Sequence, residues 1–164
     1  MKKALWLIAA SVGVPLFAAD FGARILSHAE QLPQGAPIFV TYEVRNESGG
    51  PIKVAKGAGG FKAQLSYHRM DGSDCLSPEE KLRNHVDVLV KPGYIQETLP
   101  ANWSVTKTEE IPCRENPAIL EVRVVVQSGG GPSYPYPVYV DGKEVGSFEA
   151  WTGKVESGAI QITI

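Results

Sequence analysis

The chain has 164 residues, with 16 lysines and arginines against 18 aspartates and glutamates and a formal net charge of −2. Nucleic acids and anionic membranes are bound by basic surfaces, and this balance of charges provides none. We therefore expect neither a nucleic-acid partner nor an anionic-membrane partner.

The first 18 residues, MKKALWLIAASVGVPLFA, have the pattern of a secretory signal peptide. Two lysines precede an uncharged apolar run over residues 5–14, which is shorter than the ~20 residues that a membrane span needs. Small residues then follow, and they predict cleavage after Ala18 or Ala19. The short basic start resembles that of bacterial export signals, so the sequence predicts a periplasmic or extracellular protein.

Residues 19–164 are predicted to form a single domain. Loss of the leader removes two of the 16 basic residues, so the mature charge is 14 − 18 = −4. No cysteine stands at the cleavage position, which argues against a lipid-anchored lipoprotein. No second apolar segment is long enough to span a membrane.

Cys75 and Cys113 are the only cysteines of the chain. An exported protein meets oxidising conditions, so a structural disulfide between them is the default interpretation. A redox or nucleophilic thiol is the alternative, but there is no CxxC motif to support it.

The first half of the mature chain alternates between apolar and polar residues, the period of β-strands. Residues 38–45 are a half-buried strand, followed by the turn sequence NESGGP, and a short strand is expected at 52–55. The alternation returns from residue 61 and stops at Asp71-Gly72. The residues predicted to share a buried face in these strands are Ile38, Val40, Tyr42 and Val44 and then Phe61, Ala63, Leu65 and Tyr67.

The segment SPEEKLRN, residues 77–84, interrupts the alternation with a capping box and a proline at the first helical position, so one or two helical turns are predicted there. Further strands are predicted over residues 85–90, 103–111, 118–127, 137–140, 144–150 and 159–164. In 118–127 the even-numbered face is apolar. Asp141-Gly142 predicts a hairpin turn.

Eight or nine short strands with regular turns predict an all-β domain, a sandwich or barrel. The stretch QGAPIFVTYEVRNESGGPIKV resembles the second strand and turn of bacterial immunoglobulin-like modules, in which a glycine precedes an alternating strand that ends in an asparagine. Later strands of the same modules are resembled by three further stretches: LVKPGYIQETLP, the strand at 118–127, and WTGKVESGAIQITI. This resemblance implies an immunoglobulin-like antiparallel β-sandwich, which is a statement about the fold and not about an activity. Together with the capping box, it gives an all-β sandwich with one short helical turn in a loop. A bacterial proteinase-inhibitor family shares this sandwich pattern, but no residue of this chain can be assigned an inhibitory role from the resemblance.

Motifs for catalysis, metals or cofactors are not evident. The chain has no GxSxG, GxGxxG or Walker pattern. The three histidines, His28, His68 and His85, are not spaced as the ligands of a metal site are. The segment HRMDGSD is interpreted as a turn rather than as a calcium-binding loop. We therefore predict no enzyme, no metal and no cofactor.

The stretch SGGGPSYPYP, residues 128–137, is the most unusual part of the chain. Prolines two residues apart remove two donors from one edge of a strand, so Pro135 and Pro137 predict a protected edge. Tyr134 and Tyr136 share a face with Val138 and Val140. If these valines are buried, the tyrosines extend the core to its rim, where they cap it or offer an aromatic platform to a ligand. The tyrosines are the candidate binding residues.

The sequence favours an exported, non-catalytic module that binds a protein or an envelope component. Its candidate contact loops are 47–50, 55–60 and 128–136, and the sequence leaves open which of them share an end of the domain. The alternative is an inhibitor of a secreted protease or another hydrolase, acting through the disulfide-braced segment 74–81. An enzyme with a site assembled from distant residues is a third possibility.

Overall fold

The computed structural model describes residues 20–57, 60–75, 94–113, 117–128 and 135–164. The protein is all-β, and these residues contain no helix. Within them, no helix is long and apolar enough to span a membrane. The strands are β1 Phe21–Ser27, β2 Ile38–Asn46, β3 Ile52–Lys56, β4 Phe61–Arg69, β5 Ile95–Leu99, β6 Ser104–Ile111, β7 Ile119–Ser128, β8 Tyr136–Val140, β9 Lys143–Phe148, β10 Lys154–Glu156 and β11 Ile160–Thr163.

One antiparallel sheet has the order β1-β2-β6. In its central strand, the four residues that the alternation predicts to be buried, Ile38, Val40, Tyr42 and Val44, are all fully buried. Phe39, on the opposite face, is exposed. The sequence alternation in β2 therefore predicted its buried face correctly.

The second sheet is built around β7, which pairs with β4 along one edge and with β10 and β11 along the other. The break between β10 and β11 is bridged by Ser157, whose N–H donates to the Val124 carbonyl (2.9 Å) and whose hydroxyl accepts from the Val124 N–H (2.9 Å). Leu120, Val122, Val124 and Val126 of β7 are fully buried, as predicted from the sequence.

Both sheets contribute to one hydrophobic cluster. It joins Tyr42 and Val44 of β2 to Val122 and Val124 of β7, with Ile162 of β11 also fully buried. Burial of one such aliphatic side chain contributes roughly 1.5–3 kcal/mol. This shared core is what holds the two sheets against each other.

Two shorter ladders complete the described structure, β3 with β5 and β8 with β9. Strands β1, β5 and β10 were missed by the sequence analysis. The predicted signal peptide, the helical turns at 77–84 and the strand at 85–90 lie outside the described residues.

Cys75 and Cys113 form a disulfide, with their Cα atoms 4.5 Å apart. Cys75 follows β4 and Cys113 follows β6, so the bond connects the ends of strands from two different sheets. Cys113 is fully buried, and Arg69 donates from Nε to its sulfur at 3.4 Å.

Candidate binding site: the β8–β9 hairpin

Tyr136, one of the two candidate binding tyrosines, is the first residue of β8 and is only 3% exposed. Its hydroxyl is hydrogen-bonded to the Ser128 hydroxyl at the end of β7. Its ring lies against Tyr94 (centroids 4.8 Å apart, edge-on) and stacks with Phe148 of β9 (5.8 Å). Tyr136 therefore anchors the hairpin to the rest of the domain, and its ring is not offered to a ligand. Tyr134 lies outside the described residues.

The hairpin turns at Asp141-Gly142, as the sequence predicts. Both residues have positive φ angles, 49° and 75°. This is the conformation of the two-residue turns whose twist matches that of paired strands, and glycine at the second position adopts it without strain. The register shifts at Val138/Tyr139, so that Val145 is an extra residue on β9.

The side chains of the hairpin are largely exposed. Val140 is 54% exposed and Val145 is 61% exposed. The sequence interpretation extended the core to the tyrosines on the condition that Val138 and Val140 are buried, and this condition is not met at Val140. The reason is topological, because β8 pairs with β9 and with no strand of either core sheet among the described residues.

Pro137 lies within β8, opposite Ser147 of β9. In the described part of the chain β8 has β9 as its one partner, so it is an edge strand. An edge is the position in a sheet where a proline, which has no N–H to donate, is tolerated. The prediction that Pro135 and Pro137 mark an edge agrees with this topology.

The described ends of the three candidate contact loops lie at the same end of the domain. Asn46, where the loop 47–50 begins, pairs with Phe21. The Phe21 ring lies 5.1 Å from that of Phe61, the residue that follows the loop 55–60. Phe61 in turn pairs with Ser128, where the stretch 128–136 begins. The register of two strand pairs and one ring contact thus brings together the strand ends from which these loops start.

An aromatic cluster lies at this end of the domain. Phe21 and Phe61 both contact the rings of Trp103 and Trp151, with centroids between 4.8 and 6.3 Å apart. The two tryptophans are half-buried, and Trp151 donates from its ring nitrogen to Asp20 (3.0 Å). Nothing in the sequence pattern pointed to this cluster, since its four members come from four distant segments.

In the segment HRMDGSD, His68 and Arg69 end β4 and a turn follows at Asp71-Gly72, as the sequence predicts. Gly72 has a φ of 77°, and the N–H and hydroxyl of Ser73 both donate to the Asp71 carboxylate (2.9 and 2.7 Å). These hydrogen bonds lower the pKa of Asp71. Within the described residues, no three His, Cys, Asp or Glu side chains are arranged to hold a metal ion.

Of the three histidines, His28 is half-buried and His68 is exposed, and His85 lies outside the described residues. Comparisons with family models, with curated proteins and with solved structures found no match to this chain.

Proposed function

We propose that this chain is an exported, non-catalytic immunoglobulin-like module that binds a partner protein through its β8–β9 hairpin. The observation that carries the proposal is the exposure of Val140 and Val145 on a hairpin that is anchored at its base by Tyr136. The leader sequence supports export, and the disulfide suits an oxidising compartment. The resemblance of the strand sequences to bacterial immunoglobulin-like modules supports the finer fold.

A protein partner fits this hairpin better than a small molecule does. Small ligands bind in concave pockets, whereas Val140 and Val145 lie on exposed strands. The outer edge of β9 has no partner strand in the described part of the chain. Backbone groups on such an edge, with apolar side chains beside them, can pair with a strand of another protein.

The proposal is tested by site-specific crosslinking in intact cells of the source organism. A photo-crosslinking residue is placed at Val145 or, as a control of similar exposure on another surface, at Met70, which is 51% exposed. We expect one recurrent adduct from position 145, none of that mass from position 70, and its loss in the Val140→Asp variant. An adduct pattern that is the same from both positions, or that survives Val140→Asp, contradicts the proposal.

A further inference from the structure

A second surface, separate from the hairpin, lies between the outer strands of the two core sheets. We call it the lysine groove. Its apolar wall is formed by Phe61 of β4 and Trp103, which precedes β6, and its cavity volume is about 380 Å³. Lys56, Lys62 and Lys107 surround this wall.

The β4 edge of the groove is already occupied in its middle. Val124 of β7 directs its N–H and carbonyl to Ser157, so Leu65, which lies opposite Val124, directs its own backbone groups away from β7. The Leu65 N–H donates to the Glu109 carboxylate (3.5 Å), and the Tyr42 hydroxyl lies 3.1 Å from the neighbouring Ala63 carbonyl. Side chains of the first sheet thus cover this part of the β4 edge.

The β6 edge of the groove is open in the described part of the chain. Asn46 of β2 donates its N–H to the Trp103 carbonyl (2.9 Å), and in an antiparallel ladder this pattern repeats every two residues. The odd-numbered residues of β6 therefore bond to β2, and Thr106 directs its N–H and carbonyl outward. No described strand pairs with this edge.

The charge of the groove opposes that of the whole molecule. Lys56 forms an ion pair with Glu97, whereas Lys62 and Lys107 are exposed and have no acidic partner among the described residues. Two ammonium groups thus lie beside an aromatic wall and an open strand edge, in a chain whose net charge is negative. The three lysines are opposed by Glu97 and by Glu109, whose carboxylate accepts from the Leu65 N–H, so the groove keeps an excess of 3 − 2 = 1 positive charge, on a rim formed by Lys62 and Lys107. An apolar wall with such a rim is complementary to an anionic ligand that also carries apolar groups.

We propose that the lysine groove binds an extended acidic peptide segment of a partner protein. The segment adds to the outer edge of β6 at Thr106, where no described strand pairs, and hydrogen-bonds the backbone of that residue. Its carboxylates lie near Lys62 and Lys107, and an apolar side chain packs against Trp103. Main-chain pairing favours a peptide over a small anion, because the cationic groups here are lysines on flexible stems rather than a fixed cradle of N–H donors.

The test begins with a displayed library of random decapeptides, selected on the mature disulfide-bonded chain. We expect enrichment of sequences in which Asp or Glu alternates with apolar residues. Binding of the most enriched peptide is then measured by calorimetry. The Lys62→Gln/Lys107→Gln variant should weaken it at least tenfold, whereas the matched variant Lys53→Gln/Lys154→Gln, which loses the same two charges elsewhere on the surface, should bind like the wild type.

A second measurement separates strand pairing from simple charge attraction. N-methylation of alternate backbone amides of the selected peptide removes donors without changing its charge, and we expect it to abolish binding. No acidic enrichment, equal loss in the two lysine variants, or unchanged binding of the methylated peptide would overturn the proposal. Because neither lysine lies on the hairpin, the result is independent of the crosslinking experiment at Val145.

Discussion

At the scale of single residues, Asn46 connects three pieces of chain. It is buried, and its amide nitrogen lies within hydrogen-bonding distance of the carbonyls of Gly50 (2.8 Å), Leu99 (3.3 Å) and Pro100 (2.9 Å). Its amide oxygen accepts from the N–H and hydroxyl of Ser48. One side chain thereby fixes the turn after β2 and ties it to the end of β5.

We predict that Asn46→Ala lowers the free energy of unfolding by about 2 kcal/mol, because buried carbonyls lose their donor. The control is Asn102→Ala, since Asn102 is exposed and should tolerate the change. The measurement is urea unfolding followed by circular dichroism. Equal unfolding midpoints for the two variants would show that the amide does not stabilise the turn.

Glu43 is buried although it lies on the outer face of its sheet. Arg24 and Arg45 contact its carboxylate at 2.6 and 2.8 Å. Burial acts to raise the pKa of Glu43, but hydrogen bonds and charges from Arg45 and Arg24 outweigh it, so the pKa lies below the ordinary glutamate value of 4.5. A lowered carboxyl pKa stabilises the folded state above the pKa of the unfolded chain, and this contribution is lost as the pH falls through the folded pKa.

We therefore predict that Glu43→Gln destabilises the protein at neutral pH and reduces the dependence of its unfolding free energy on pH below about pH 4.5. Urea titrations between about pH 3 and pH 7 measure both effects. Glu144→Gln, at an exposed position of the hairpin, should leave the unfolding free energy near that of the wild type. A Glu43→Gln curve parallel to the wild type at every pH would contradict the assignment.

At the scale of elements, the β8–β9 hairpin depends on one buried ring. Tyr136→Ala removes the contacts with Tyr94 and Phe148 and the bond to Ser128, whereas Tyr136→Phe removes that bond alone. We predict faster amide exchange in residues 136–148 of Tyr136→Ala, with β2 and β7 unchanged, and a smaller effect in Tyr136→Phe. Hydrogen exchange with mass spectrometry measures this, and exchange that accelerates across both core sheets would show that the hairpin is not an independent element.

The elements that the sequence predicted are those with strict alternation. Strands β2 and β7 each carry a complete apolar face, so their buried residues could be named in advance. Strand β1 turns Phe21, Ala23 and Ile25 toward the core, but only Phe21 is fully buried and the opposite face carries the exposed Leu26, so its alternation is too weak to predict a strand. Strand β5 places Ile95 in solvent, and β10 is only three residues long.

The hairpin shows where alternation fails as a guide to burial. Val138 and Val140 alternate as core residues do, yet Val140 is exposed because its strand pairs with β9 alone in the described structure. Periodicity identifies which residues share a face. It does not identify which face meets the core, because that depends on which strands pair.

At the scale of the whole molecule, the disulfide joins strand ends from the two core sheets across 38 positions of sequence. Closing a loop of this length restricts the unfolded chain, which stabilises the folded state. We predict that Cys75→Ala/Cys113→Ala lowers the free energy of unfolding by roughly 2–4 kcal/mol. Replacing both cysteines avoids a free thiol, and reduced wild-type protein is the matched comparison. The prediction would be contradicted if the oxidised wild type and the double variant unfolded at the same urea concentration.

Neither proposed surface could be assembled from the sequence alone. The exposure of Val140 and Val145 follows from the pairing of β8 with β9 alone among the described strands. The lysine groove needs β4 and β6 to be the outer strands of facing sheets, which is a property of strand order rather than of composition. The local sequence pattern was enough to predict the fold class and the disulfide. Both proposed surfaces depend on which distant strands pair, which the local pattern does not show.

The aromatic cluster also gives the molecule a built-in optical reporter. Of the three tryptophans, Trp6 belongs to the predicted leader, so the emission of the mature chain comes from Trp103 and Trp151 alone. Both contact Phe21, and Trp151 is hydrogen-bonded to Asp20, directly after the predicted cleavage point. If the leader is cleaved as predicted, intrinsic fluorescence would report the contacts of the N-terminal strand, because release of β1 would shift the emission of both tryptophans together.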